Sequence, residues 1–231
     1  MMRKILGILF IMCVGLPALA QDADRPEQPD LPGDIMVDVG FNLISDDTDL
    51  LNTEFWPSKS VGIYYMRTFK INNYFTFNSA LGLGLEKYGL ADNANYVSNE
   101  NRNIVFDTIT NVRVRKNKLA VTYLDIPMEL RFYPRETIDG EGLFIGVGGV
   151  IGFRVRAHTK VKYDLFEDTR IEKTTGRFGL SDFRYGLQIR AGWKGAHLFF
   201  KQYFSPMFND GRGPLGAEPT AFTLGINITG F

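Results

Sequence analysis

The 231-residue chain has one cysteine, two histidines and no net charge, and each shortage removes a class of chemistry. Cys13 lies in an apolar stretch near the N-terminus, behind Phe10-Ile11-Met12, which are too bulky for a lipoprotein processing site. If the first twenty residues are removed, the expected mature chain has no cysteine, no disulfide framework and no thiolate chemistry. Loss of Arg3 and Lys4 takes Lys+Arg from 26 to 24 against 26 acidic residues, a net of −2. That balance argues against nucleic acid as a partner. No segment carries a convincing helical period, and no apolar run approaches the roughly 20 residues of a membrane-spanning helix.

What is present begins with an address. Arg3 and Lys4 precede the apolar stretch Ile5 to Leu16, and Pro17-Ala18-Leu19-Ala20 supplies small residues at the A-x-A positions of a cleavage site. Residues 1–20 therefore read as a secretory signal peptide. Residues 21–34 are acidic and carry Pro26, Pro29 and Pro32, as expected of an extended periplasmic leader. Residues 35–231 are the right size for one barrel or sandwich domain.

This third part falls into eight segments of period two, near 35–45, 59–70, 74–88, 118–134, 142–157, 179–194, 196–205 and 220–231. In the third, Phe75, Phe77, Leu81, Leu83 and Leu85 alternate with Thr76, Asn78, Gly82, Gly84 and Glu86. The seventh, from His197 to Phe204, mixes apolar and polar residues on both faces. Alternation alone also fits a soluble, lipocalin-like periplasmic binding barrel with its apolar face inward. Three features favour the inverse arrangement. Glycine crowds the polar face, where it weakens a water-facing sheet but makes room in a narrow lumen for opposing Arg and Glu side chains. Short links near 71–73, 135–141 and 194–195 alternate with long ones near 46–58, 89–117, 158–178 and 206–219, the pattern of short periplasmic turns and long external loops. Phe69, Phe75, Phe132 and Trp193 fall near the short-turn side, where an interfacial girdle belongs.

The expected fold is thus all-β: an antiparallel, eight-stranded, up-and-down transmembrane barrel in the outer membrane of a Gram-negative bacterium, with both termini periplasmic. A barrel of that size is barely wide enough to be filled by its own side chains. Its inward set would include Asp38, Glu86, Asp125, Glu129, Arg131, Arg154, Arg184 and Arg190. These are expected to form a polar plug of salt bridges, with a gated conduit through the same residues as the alternative.

The strand Tyr123-Leu124-Asp125-Ile126-Pro127-Met128-Glu129-Leu130-Arg131 follows a long external loop and resembles the "Tyr-Leu-Asp/Glu-Ile-Pro-Leu-x-Leu" strand of the PorT-like outer-membrane β-barrel proteins. The glycine-rich run from Gly142 to Phe153 and the terminal Phe231 are similar to that family as well. The resemblance implies an eight-stranded outer-membrane barrel and, as for some members, a part in protein secretion. It also implies that Phe231 is read by the barrel-assembly machinery. One departure stands out. Apolar residues usually lie at alternate positions counted back from the final aromatic, but here Thr229, Asn227 and Gly225 occupy them and the apolar set is offset by one.

No catalytic constellation accompanies this architecture. His158 is expected at the external end of the fifth segment and His197 at the periplasmic side, both as ordinary surface residues too far apart to share a metal or a triad. Gly82-Leu83-Gly84 and Gly146-Val147-Gly148-Gly149 lie inside strands and open no helix, so they cradle no phosphate. No enzyme activity, metal or cofactor is therefore expected. The remaining candidates are external cations. Arg113, Arg115, Lys116 and Lys118 alternate with Val112, Val114 and Leu119, and Lys160 and Lys162 belong to the next external connection. The alternation suggests strands continuing beyond the membrane. The cations suit the phosphates of lipopolysaccharide or an acidic partner, or else protect an exposed sheet edge. The function expected is a structural or interaction component of the envelope, with outer-membrane lipid and an envelope or secretion protein as partners. A small gated channel or a lipid-active barrel enzyme is the alternative.

Overall fold

The computed structural model describes residues 33–45, 53–90, 94–98, 104–108, 113–135, 142–165, 168–213 and 218–230. The expected signal peptide, all of the leader except Gly33 and Asp34, and Phe231 lie outside the described residues. Eleven strands are present among them: β1 (Asp34–Ser45), β2 (Thr53–Lys70), β3 (Phe75–Leu90), β4 (Ala94–Ser98), β5 (Ile104–Thr108), β6 (Arg113–Phe132), β7 (Leu143–Leu165), β8 (Asp168–Thr175), β9 (Phe183–Trp193), β10 (Ala196–Tyr203) and β11 (Thr220–Thr229).

Eight of these close on themselves. The order β6-β3-β2-β1-β11-β10-β9-β7 is completed by a β6–β7 pairing, and β1 pairs with β11 to join the two ends of the chain. Every neighbouring pair is antiparallel. β8 adds to β7 beyond the closed part, and β4 and β5 form a separate two-stranded sheet within the β3–β6 connection. Closure leaves the spanning part without an unpaired edge, the condition for placing strands in hydrocarbon.

The stagger follows from the register. Leu43 pairs with Phe222, and successive partners are Gln202, Leu187, Gly149, Met128, Ser79 and Arg67. Arg67 follows Met66, the partner of Asp34, so the circuit returns to β1 opposite Gly33, ten residues below its start. Such a stagger tilts the strands by about 35–45°. At that tilt, strands of the length of β9 (11 residues) and β11 (10 residues) span a bilayer core.

The faces sort as a membrane barrel requires. Val61, Ile63, Leu81, Leu83, Ile145, Val147, Leu187, Ile189, Leu224 and Ile226 are exposed on the outer wall. Asp38, Glu86, Asp125, Glu129, Arg184 and Arg190, on the same strands or their neighbours, are buried. A lipocalin-like barrel, apolar inside and polar outside, is the reverse of this. At the short-turn end Phe69, Phe132 and Trp193 are exposed, and Phe75 packs against Phe132 with ring centroids 5.2 Å apart.

Several boundaries differ from the sequence reading, and β6 already begins at Arg113 rather than near 118. β2 starts at Thr53 rather than near 59, because an irregularity between Glu54 and Lys59 lets the strand continue past Pro57. β7 runs on to Leu165 and is followed by β8, where a loop was expected from 158 to 178. The sixth segment does not begin at 179. Phe178 and Gly179 have left-handed backbone (φ 46° and 63°), which turns Phe178-Gly179-Leu180 into the barrel mouth before β9 starts at Phe183.

Candidate functional site

Two regions concentrate charge: the lumen, and the outer wall near the long-connection end. In the lumen the inward residues of β1, β3, β6, β9 and β10 form two linked clusters. Nearer the mouth, Arg184 donates Nη2 to Asp125 Oδ2 at 2.8 Å and Nη1 to Glu86 Oε1 at 2.6 Å. Its guanidinium lies over the rings of Tyr123 (3.5 Å) and Tyr203 (4.2 Å). Tyr88 donates its hydroxyl to Glu86 Oε2 at 2.6 Å. Nearer the short turns, Asp38 accepts from Lys201 Nζ (2.7 Å), Arg190 Nη1 (3.2 Å) and Asn227 Nδ2 (2.6 Å). Glu129 accepts from Arg190 Nε (3.1 Å), Arg131 Nε (2.5 Å) and Gln188 Nε2 (3.1 Å). Asp38, Glu86, Asp125 and Glu129 thus face Arg131, Arg184, Arg190 and Lys201, so the acids and bases of the network match in number. A buried ion that lost its partner would carry a desolvation cost of several kcal/mol, which is why the set must close on itself.

Glycine makes the space. A Cβ on Gly84 would sit 2.5 Å from Asp125 Oδ2, and one on Gly146 would sit 2.7 Å from Glu129 Oε1. A Cβ on Gly152 would collide with both Asp125 and Arg184.

Both ends of the lumen are closed among the described residues. At the mouth Phe178, Leu180, Met207 and Phe208 join Ile44, Tyr88, Leu119 and Tyr203 in one buried apolar cluster. The strap carrying them is fixed by Ser181 N–H to Met207 O (3.0 Å) and Asn209 N–H to Gly179 O (2.8 Å). At the short-turn end Tyr133, Phe144 and His197 form a floor, with Arg131 lying 4.3 Å over the Phe144 ring. Between them are cavities of only about 10 Å³ beside Glu129 and Arg190 and about 20 Å³ beside Glu86 and Arg184.

Of the eight charges expected inside, seven join the network. Arg154 does not: its buried side chain pairs with Asp182 at the mouth and donates to Ser181 O. Lys201 is a member that the sequence reading missed, since the mixed pattern of β10 gave no face to assign it. His197 corrects a second expectation, because it is buried, with Nε2 2.6 Å from Lys194 O, and is not a surface histidine. His158 is half-buried within β7 and lies well away from that floor, on the outer wall.

The cations expected outside the membrane separate as well. Lys160 and Lys162 belong to strand β7, not to a loop. Lys116, Lys118, Lys160 and Lys162 share the outward face, as Lys118 pairs in register with Lys160 and Lys116 with Lys162. Arg115 sits at a register shift and is bound to Asp164 at 2.6 Å. Arg113 is in β6, and its side chain is outside the described residues. Burial, then the neighbouring Lys116, Lys87, Lys59 and Lys160, hold the Lys118 ammonium below the ordinary lysine value. Burial, then Lys173 and Arg156, likewise lower the imidazole of His158.

A family model described as the outer membrane protein beta-barrel domain matches residues 28–210. Among solved structures, the chain is similar to Ail, the attachment invasion locus protein of Yersinia pestis. The identity is 11%, with 87% of this chain and 100% of that chain covered and a TM-score of 0.36. A Rhodopseudomonas blastica porin mutant aligns at 10% identity over 86% of this chain and 99% of that chain, with a TM-score of 0.21. No curated protein gives a significant match.

Proposed function

This chain belongs to the outer membrane protein β-barrel domain family, and on that premise we propose that it is a non-enzymatic envelope component acting through contacts at the external end of its barrel. The observation that carries the proposal is the filled lumen. Its matched charges lie between an apolar cap and an aromatic floor, and among the described residues its small cavities beside Glu129 and Glu86 are too small to hold a solute or a substrate. Surface is what such a barrel has to offer. β6 and β7, of 20 and 23 residues, are about twice the length that crosses a membrane and rise past the lipid-facing belt together with β8.

In this reading the short turns and both termini are periplasmic, and the long connections face outward. Lipopolysaccharide surrounds the outer wall, and an envelope protein is the partner of the protruding sheet. The PorT-like resemblance extends the proposal to protein secretion, and Phe231 would serve the barrel-assembly machinery. The test is a deletion strain. Its secretome or its detergent resistance should be altered and restored by the plasmid-borne gene. A normal secretome together with normal detergent resistance would remove the proposal.

A further inference from the structure

Along β2 the outward residues run Lys59, Val61, Ile63, Tyr65, and along β3 they run Lys87, Leu85, Leu83, Leu81. Both strands therefore change from apolar to cationic at the same register, because Lys59 pairs directly with Lys87. On the next strands Lys118 pairs with Lys160, and Lys160 with Lys173 of β8. Like charges placed opposite one another destabilise a sheet, yet no salt bridge to any of these five lysines forms among the described residues. Protection of a sheet edge does not account for them. β2, β3, β6 and β7 are paired on both sides, and only Lys173 lies on an edge strand.

Three of these lysines, Lys59, Lys87 and Lys118, also line a space, and Lys160 lies beside it through its pairing with Lys118. A groove of about 560 Å³ lies between Trp56 and Lys59 of β2, crosses Lys87 of β3, and reaches Lys116 and Lys118 of β6. Glu54 is the one acidic residue lining it among the described residues. Trp56 is 70% exposed, and Lys59 Nζ lies 5.1 Å from its ring, a placement suited to an indole at a membrane interface.

We propose that Lys59, Lys87, Lys118 and Lys160 form a docking site for the phosphate groups of an outer-leaflet phosphoglycolipid of the lipid A class. The groove opens on the wall that faces lipid. Its lower border is continuous with Val61–Ile63 and Leu83–Leu85, against which the acyl chains of the same molecule lie. A soluble anionic partner would match the charge and leave that apolar continuation unused. The inference rests on the orientation given above, with the long connections outside.

The experiment uses the full chain folded in phosphatidylcholine vesicles containing bisphosphorylated lipid A, dephosphorylated lipid A or phosphatidylglycerol. Bisphosphorylated lipid A should raise the temperature at which the SDS-resistant form is lost, because a ligand of the folded state stabilises it. Lipid A adducts should survive in native mass spectra. Lys59→Gln/Lys87→Gln combined with Lys118→Gln/Lys160→Gln should fold, migrate as a barrel and lose affinity for bisphosphorylated lipid A by at least about tenfold, while Lys194→Gln at the short-turn end binds as before. Equal binding of dephosphorylated lipid A or phosphatidylglycerol, or an unchanged quadruple variant, overturns the inference. A Lys173→Cys chain separates the two levels. Labelling of intact cells by an impermeant maleimide, with no lipid A binding, removes this site alone, whereas absence of labelling removes the orientation and the site with it.

Discussion

At the scale of single residues, the lumen is a closed set of pairings, so its members are not interchangeable with neutral side chains. Arg190 bonds both Asp38 and Glu129. Arg190→Ala should leave those two carboxylates under-compensated and destabilise the folded barrel by about 3–5 kcal/mol, read as a lower urea midpoint in phospholipid vesicles. Gly152→Val should cost stability for a different reason, since its side chain would enter the Asp125–Arg184 pair, and Gly211→Val, with open space around it, has only the strain of its positive φ to bear. His158 gives a pH signature. Its imidazole is held below the ordinary 6.5 by burial first and by Lys173 and Arg156 next, so the unfolded chain takes up the proton before the folded one does. Stability should therefore fall as pH drops through about 6.5 and be independent of this group above it. An NMR titration of the His158 ring should show a midpoint below that of free histidine, and one at or above it would contradict the electrostatics of the outer wall. Most lumen charges were legible from strict alternation. Lys201 was not, because aromatic neighbours on both faces of β10 erase the period, and the inward aliphatic stem of Lys201 packs its ammonium 4.9 Å from the Phe199 ring.

At the scale of elements, one irregularity decides where the charge near the long-connection end of β7 points. Tyr123 pairs with Arg154 and Thr122 with Arg156, leaving Val155 as the extra residue of a bulge in β7. Unbroken alternation from Arg154, which is buried, would carry Arg156, His158 and Lys160 inward. The bulge turns them out, and Ala157, Thr159 and Val161 are buried instead. Sequence periodicity cannot reveal this, since apolar Val155 fits either phase. Removing Val155 should therefore abolish the bulge and leave the downstream register in place, because Arg156 then follows Arg154 directly opposite Thr122 and Tyr123. A cysteine replacing Lys160 should react readily with a water-soluble maleimide in the parent, in the deletion and in Val155→Ala, and protection in the deletion would mean that Val155 is not the extra residue. The cap at the mouth was hidden for a related reason. Phe178-Gly179-Leu180 lies just before the apolar run of β9 in the sequence, and the left-handed backbone at Phe178 and Gly179 turns it away from the strand.

At the scale of the whole molecule, an eight-stranded circuit with a ten-residue stagger leaves a lumen that side chains fill. Planar bilayers containing the purified protein should accordingly show no discrete conductance, and regular single-channel steps would mean that the cap or floor opens. Closure, strand number and outward apolar faces were all readable from spacing and alternation, because a two-residue period and alternating link lengths are global properties that a local bulge does not erase. The most direct measurement is a nitroxide scan along β3 in lipid vesicles. Labels at Phe77, Leu81 and Leu83 should collide freely with oxygen dissolved in the bilayer, and labels at Thr76, Asn78 and Ala80 should be shielded from it. The opposite alternation, with the odd positions shielded and the even ones open to a water-soluble relaxant, would turn the barrel inside out and contradict its place in the membrane.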